Sequence, residues 1–267
     1  MEPRTFEVTG RLDLRMRIRS GDIHITQTEA ATTTVHVTGE HKDEEISIEA
    51  DTSSIGTRLQ VVQSKDGGGW GFRGGGLQID VEVPEGSVAE ITTGSGDLIV
   101  EGTLAELAFQ TGSGDARVGA VTGSVRLKSA SGDIRVGSIG GDLSLATASG
   151  DVAIGSIGGA IQARTASGDL EFGAVTGAAR AMSASGDLTI GSASGDLALR
   201  SVSGDIDVGV PAGLRIWFDL SSTSGDTVSE LEPGEDLDAG GSFEIRATTV
   251  SGDIRIRRAS TRDASPV

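Results

Sequence analysis

The residues that could do chemistry in this chain are aspartates at fixed spacing. The tripeptide Ser-Gly-Asp ends at Asp97, Asp115, Asp133, Asp151, Asp169, Asp187 and Asp205, each 18 residues after the last, and recurs at wider spacing at Asp22, Asp226 and Asp253. Stacked at a repeat of ~5 Å, bare carboxylates repel by about 0.8 kcal/mol per pair even at water's dielectric. Two arrangements offset this. Each Asp can accept a backbone N–H or Ser hydroxyl at its own corner as a repeated Asx-turn. Alternatively the row can hold hard divalent cations such as calcium, which take carboxylate and carbonyl oxygens. Calcium-binding nonapeptide repeats follow Gly-Gly-x-Gly-x-Asp-x-apolar-x. Here Asp directly precedes the apolar residue, and the second half of the unit has Asp only at Asp142 and Asp196. The turn reading is the better match, with the seven aspartates as cation candidates.

Three further groups carry residue types capable of binding. Hydroxyls recur beside the aspartates, as in Thr147/Ser149 and Thr165/Ser167. They read as a solvated, self-bonding corner or as a flat array for ice or a glycan. The segment Gly69-Trp70-Gly71-Phe72-Arg73-Gly74 has the spacing of a dinucleotide fingerprint, which works only between a strand and a helix. A strand-like alternation from Leu77 follows it, so the segment is a glycine-rich loop whose Trp70 and Phe72 are candidate partner contacts. His24 and His36 point outward from neighbouring strands, with His41 close in sequence, a weak metal signal without an acidic partner at fixed spacing. No nucleophile–base or paired-carboxylate arrangement stands out from the repeat, and unbroken 18-residue steps leave no long loops over a face. The chain therefore reads as a non-enzyme that needs no cofactor.

The elements that position these groups follow from the repeat. Numbered from its Ser, the unit has apolar residues at positions 4, 6, 9, 13, 15 and 18, as in Ser131 to Ala148. Alternation at 4/6 and 13/15 is the signature of strands with one buried face. Position 5 is polar or small and points outward, as at Arg117, Arg135, Glu171 and Asp207. Glycine at position 2 of every copy and at position 7 of most marks corners that need positive φ. Two short strands cannot bury their face alone, but stacked coils can. The predicted fold is an all-β, single-chain β-solenoid, a right-handed parallel β-helix-like stack with 18 residues and two strands per coil. Residues 1–90 are predicted as an all-β N-terminal cap region continuous with the solenoid, with strands near Thr5–Val8, Leu12–Ile18, Asp22–Gln27, Thr33–Thr38, Glu45–Ala50, Thr57–Gln63 and Leu77–Val83. Residues 91–209 form the regular solenoid, 210–258 irregular C-terminal coils and cap, and 259–267 a disordered tail.

Composition bounds the rest. The chain has 267 residues, 41 of them Gly, no Cys and only 3% aromatics, which suits many tight turns and small side chains. With 22 basic against 39 acidic residues the net charge is −17, which argues against nucleic acid and against an anionic lipid surface as partners. No signal peptide and no membrane-spanning run is present, so the expected location is cytoplasmic.

The Ser-Gly-Asp-apolar-x-apolar units, the Val-Pro-x-Gly junctions and Ser20-Gly21-Asp22-Ile23-His24-Ile25 resemble the bacterial "putative adhesin" β-strand-repeat family, a domain of unknown function. The resemblance covers nearly the whole chain. It implies a bacterial β-solenoid, often tied to an envelope, with no catalytic residues to carry over. The expectation is a structural or binding module, an adhesin-like scaffold for a protein or glycan partner, monomeric or weakly homo-oligomeric through the solenoid ends. Cation binding along the Asp row is the alternative, and an enzyme acting on polysaccharide comes third.

Overall fold

The structure is a computed structural model that describes residues 2–39, 46–64, 76–231 and 242–259. Among the described residues the regular elements are strands only, and they build a β-solenoid as two compact units, Met1–Gly123 and Ser124–Val267.

The first unit begins with β1 (Arg4–Glu7), β2 (Arg11–Ser20), β3 (Asp22–Thr28), β4 (Thr32–Thr38), β5 (Ile46–Ser53) and β6 (Gly56–Gln63). It continues with β7 (Gln78–Pro84), β8 (Val88–Ser95), β9 (Leu98–Leu104), β10 (Glu106–Ser113) and β11 (Ala116–Val121). One sheet runs β1-β4-β7-β3-β9-β11 and the other β5-β6-β2-β8-β10. The coil β2–β3 is first among the coils in sequence but interior in space. β2 pairs in parallel with β6 on one side and β8 on the other, and β3 likewise with β7 and β9. In Arg-Leu-Asp-Leu-Arg-Met-Arg-Ile-Arg the alternation turns Leu12, Leu14, Met16 and Ile18 inward, and all four are buried in this flanked coil. Antiparallel pairs β1–β4, β4–β7 and β5–β6 finish the far edge.

The second unit contains the regular coils. Its first sheet is made of β12 (Val125–Ser131), with the second sheet starting at β13 (Ile134–Ile139), and the two then alternate. They continue through β14 (Leu143–Ser149), β15 (Val152–Ile157), β16 (Ile161–Ser167), β17 (Leu170–Val175), β18 (Ala179–Ser185) and β19 (Leu188–Ala193). The last strands are β20 (Leu197–Arg200), β21 (Ile206–Val210), β22 (Arg215–Ser224), β23 (Thr227–Ser229), β24 (Ser242–Ser251) and β25 (Ile254–Arg258). The orders are β12-β14-β16-β18-β20-β24-β22 and β13-β15-β17-β19-β21-β25-β23, with neighbouring strands parallel and in register. Again the chain order is exchanged at the end, with β24–β25 inserted between β20–β21 and β22–β23. As the last strand of its sheet, β22 leaves Phe218 41% exposed, whereas its neighbour Ile245 on β24 is buried.

The core follows the repeat with one correction. In the coil from Ser149, Val152, Ile154, Ile157, Ile161 and Ala163 are buried, as expected for positions 4, 6, 9, 13 and 15. The apolar pattern places position 18 inside, yet Ala148, Ala166 and Ala184 are exposed, and the hydroxyl residue at position 17 is buried instead. The reason is that the strand does not end at 15. Its period of two carries 13, 15 and 17 inward and sends 18 out. Volume is balanced between sheets: Phe172 is buried in a stretch of coils whose other sheet carries Ala163, Ala179 and Ala181.

Candidate functional site

The Asp row is a hydrogen-bonded ladder. In unit 2 the backbone N–H of Asp151 donates to Oδ1 of Asp133 at 3.1 Å, and Asp169, Asp187 and Asp205 repeat the bond to the preceding Asp at 3.0, 2.8 and 2.8 Å. Asp253 N–H then donates to Asp205, and Asp226 N–H to Asp253. In unit 1, Asp97 N–H donates to Asp22 and Asp115 N–H to Asp97. Asp22, Asp97, Asp133, Asp151, Asp169, Asp187, Asp205 and Asp253 thus accept from the next coil rather than from their own corner. A dipole of favourable sign sits beside each of these charges, which offsets the repulsion of stacking. Asp142 and Asp196 do the same at the other corner, accepting from Ala160 and Glu244 N–H.

Glycine is what lets the coils approach this closely at the Ser-Gly-Asp corner. Gly168 has φ +135°, and a Cβ there would lie 2.3 Å from the carbonyl oxygen of Gly150, a distance no side chain tolerates. The hydroxyl row is likewise interior. Thr111, Ser129 and Thr147 are buried and donate to the carbonyls of Ser113, Ser131 and Ser149 two residues on. Position 17 is therefore not part of a solvated corner or an exposed hydroxyl array; only the position-1 serines face out.

Among the outlying candidates, the structure supplies an acidic partner that the sequence did not reveal for the histidines. Asp80 on β7 lies in register between His24 on β3 and His36 on β4. His24 Nδ1 is 3.6 Å from Asp80 Oδ1 and Nε2 is 3.6 Å from Glu101 Oε2, both beyond hydrogen-bond range. Among the described residues no group of three His, Cys, Asp or Glu is placed to hold a metal ion. Trp70, Phe72 and His41 lie outside the described residues. Among the described residues no helix is long and apolar enough to cross a membrane.

What sequence reasoning missed is the sorting of charge on the outward positions. On the first sheet of unit 2, Arg246 of β24 is held by Asp219 and Glu244, and on the second sheet β25 pairs Arg255 with Glu230 and Arg257 with Asp207 at 2.7 Å. The Arg246 guanidinium is pushed above its ordinary range by the hydrogen bond to Asp219 and the charge of Glu244. On β12, β16, β18 and β20 of the first sheet, by contrast, Arg126, Lys128, Arg164, Arg180 and Arg200 form no ion pair among the described residues.

A family model, Toastrack DUF4097, matches residues 12–257. No curated protein matches the chain in sequence. Among solved structures, a "putative adhesin" from Bacteroides fragilis is similar at 15% identity, with 95% of each chain covered and a TM-score of 0.50. A "putative lipid binding protein" from Parabacteroides distasonis is similar at 15% identity, with 96% of each chain covered and a TM-score of 0.51. At such identity the likeness concerns the fold alone.

Proposed function

The chain belongs to the Toastrack DUF4097 family, and from its ladder geometry we propose that it is a non-enzymatic binding module, an adhesin-like scaffold that presents the outer faces of its sheets to a protein or glycan partner. The observation that carries this is a division of labour within the repeat. The groups that recur in every coil are turned into the stack: the Gly is held by close approach, the Asp by the next coil's N–H, and the position-17 hydroxyls are buried, those of Thr111, Ser129 and Thr147 on a carbonyl. The groups that change from coil to coil are the outward ones, as at Arg135, Ala153, Glu171 and Thr189. A surface that varies on a frame that does not is what specific binding needs, since a rigid frame loses little entropy on docking. The names of the two similar structures are also names of binders.

The test is retention of the full chain on a glycan array and on whole bacterial cells. Glu171→Lys with Thr189→Glu should abolish retention while leaving the melting temperature unchanged. Asp151→Ala should do the reverse, lowering the melting temperature while the folded fraction still binds. Conversion of any arrayed glycan into shorter chains, or retention that responds to the ladder and not to the outward residues, would overturn the reading.

A further inference from the structure

In unit 2 charge is sorted by face. Strands β12, β14, β16, β18 and β20 lie side by side in register, so their outward positions form two straight rows. Arg126 and Arg180 stand in one row, and Lys128, Arg164 and Arg200 in the other, all exposed. The remaining outward positions of these strands' alternating stretches are Ser144, Ala146, Gln162, Met182 and Ala198, so no acidic side chain enters the face. Among the described residues none of the five cations forms an ion pair; the pairs of unit 2 involve Arg135, Arg246, Arg255 and Arg257. In a chain of net charge −17, five unpaired cations on one flat face are a local reversal of sign. Net charge is an average, and it does not describe this face. The opposite sheet lies about 10 Å behind, beyond the roughly 8 Å screening length at physiological salt, so its charges add little in front of this face, and the carboxylates that remain close are those of the two corners, Asp142 and Asp196 on one side and the Asp ladder on the other. The Asp corner borders the face without entering it.

The shape of the array decides the kind of partner. The cations occupy a two-dimensional patch, with Arg164 and Arg180 in different rows on adjacent strands, and not a single line along a groove. No aromatic ring stands among the outward positions to stack a base or a sugar. Beside the cations are exposed apolar groups, Met182 at 44% and Val202 at 53%. Arg and Lys with a shallow apolar component on a flat surface match the interface of an anionic bilayer, where guanidinium groups bond phosphate oxygens and small apolar groups enter the headgroup layer.

We propose that the outer face of β12, β14, β16, β18 and β20 docks flat on an anionic lipid bilayer. This goes beyond the binding-module reading: it assigns one face to a membrane and leaves the other sheet free for a partner.

The experiment is co-sedimentation of the full chain with vesicles of phosphatidylcholine alone and of phosphatidylcholine mixed with phosphatidylglycerol. The chain should sediment with the mixed vesicles only, and less so as salt is raised. At about 5-fold per cation, Arg164→Gln, Arg180→Gln and Arg200→Gln together should weaken partitioning by about 100-fold. Arg135→Gln, on the other sheet, should change nothing, and melting temperatures should be unaltered because every substituted side chain is exposed. Equal binding to neutral vesicles, or a triple variant that binds as the wild type does, would overturn the proposal. Retention on immobilised polyphosphate without binding to vesicles would also overturn it, in favour of a chain-like polyanion.

Discussion

Asp22 and Asp97 lie 75 residues apart in sequence, yet the backbone N–H of Asp97 donates to Oδ1 of Asp22 at 3.0 Å. The same bond joins Asp151 to Asp169, only 18 residues apart, at the same length. Membership of the ladder is thus fixed by the corner geometry and not by spacing along the chain. Asp253, which donates to Asp205 across 48 residues, obeys the same rule at the other end. An isolated carboxylate row would push coils apart; here each coil's N–H draws the neighbouring carboxylate in.

Replacing Asp151 by Ala removes the acceptor for Asp169 N–H, whereas Asn keeps an Oδ1 in place and removes one charge from the row. Loss of one hydrogen bond to a charged acceptor at an exposed corner costs about 1–2 kcal/mol. For a chain of this size that lowers the melting temperature by roughly 2–8 °C. Asp151→Asn should stay within about 0.5 kcal/mol of the parent, because relief of like-charge repulsion offsets a weaker bond. Thermal melts of the two variants decide it: equal losses would mean that the charge, and not the acceptor, matters.

Much of this was readable from periodicity. Leu98, Val100, Leu107 and Phe109 sit inside because alternation in a repeated unit has one physical solution. The exchange of coils was not readable, since nothing local to Arg11–Ser20 says that β6 and β8 will flank it. The inward turn of Thr147 was hidden for another reason: a hydroxyl residue looks polar in sequence, and its bond to the Ser149 carbonyl exists only once the corner is formed. Asp80 could not be assigned to His24 and His36 because strand register is a long-range property. The basic face was masked by the averaging in a net charge of −17.

The corner glycines should be unequal in their tolerance of a side chain. Gly168 combines φ +135° with a carbonyl oxygen 2.3 Å from the Cβ position, while Gly86 has φ +77° and open space. Gly86→Ala should cost about 1–2 kcal/mol for the left-handed backbone alone. Gly168→Ala must also move one coil away from its neighbour, and a loss of roughly 3 kcal/mol or more is expected. Chemical denaturation of both variants checks this; comparable losses would show that backbone strain, and not coil contact, governs the corner.

Position 17 offers a paired comparison. Thr147 Oγ1 donates to Ser149 O at 3.0 Å, but Thr165 Oγ1 is buried with no hydrogen-bond partner. Valine is close to threonine in shape and lacks the hydroxyl. Thr147→Val should therefore destabilise by about 1 kcal/mol, while Thr165→Val should be neutral or stabilising, since it removes an unsatisfied buried group. Ser183 and Ser201 share the condition of Thr165, so Ser183→Ala should also be well tolerated. A Thr165→Val variant that melts well below the Thr147→Val variant would contradict the assignment.

Calcium provides the last test, because the Asp ladder could be taken for a row of cation sites. A calcium ion takes 6–8 oxygen ligands at close range. Along the ladder one oxygen of each Asp is engaged by a backbone N–H, which brings a partial positive charge to the place a cation would need. A ligand present at about 100 times its dissociation constant would add ~2.7 kcal/mol to the folded state. That gain would raise the melting temperature by several degrees. With millimolar calcium or with chelator the melting temperature should instead be the same, and Asp169→Asn should leave that equality intact. A calcium-dependent rise that disappears in Asp169→Asn would assign the ladder to cation binding, and the N–H bonds would then be features of the metal-free state alone.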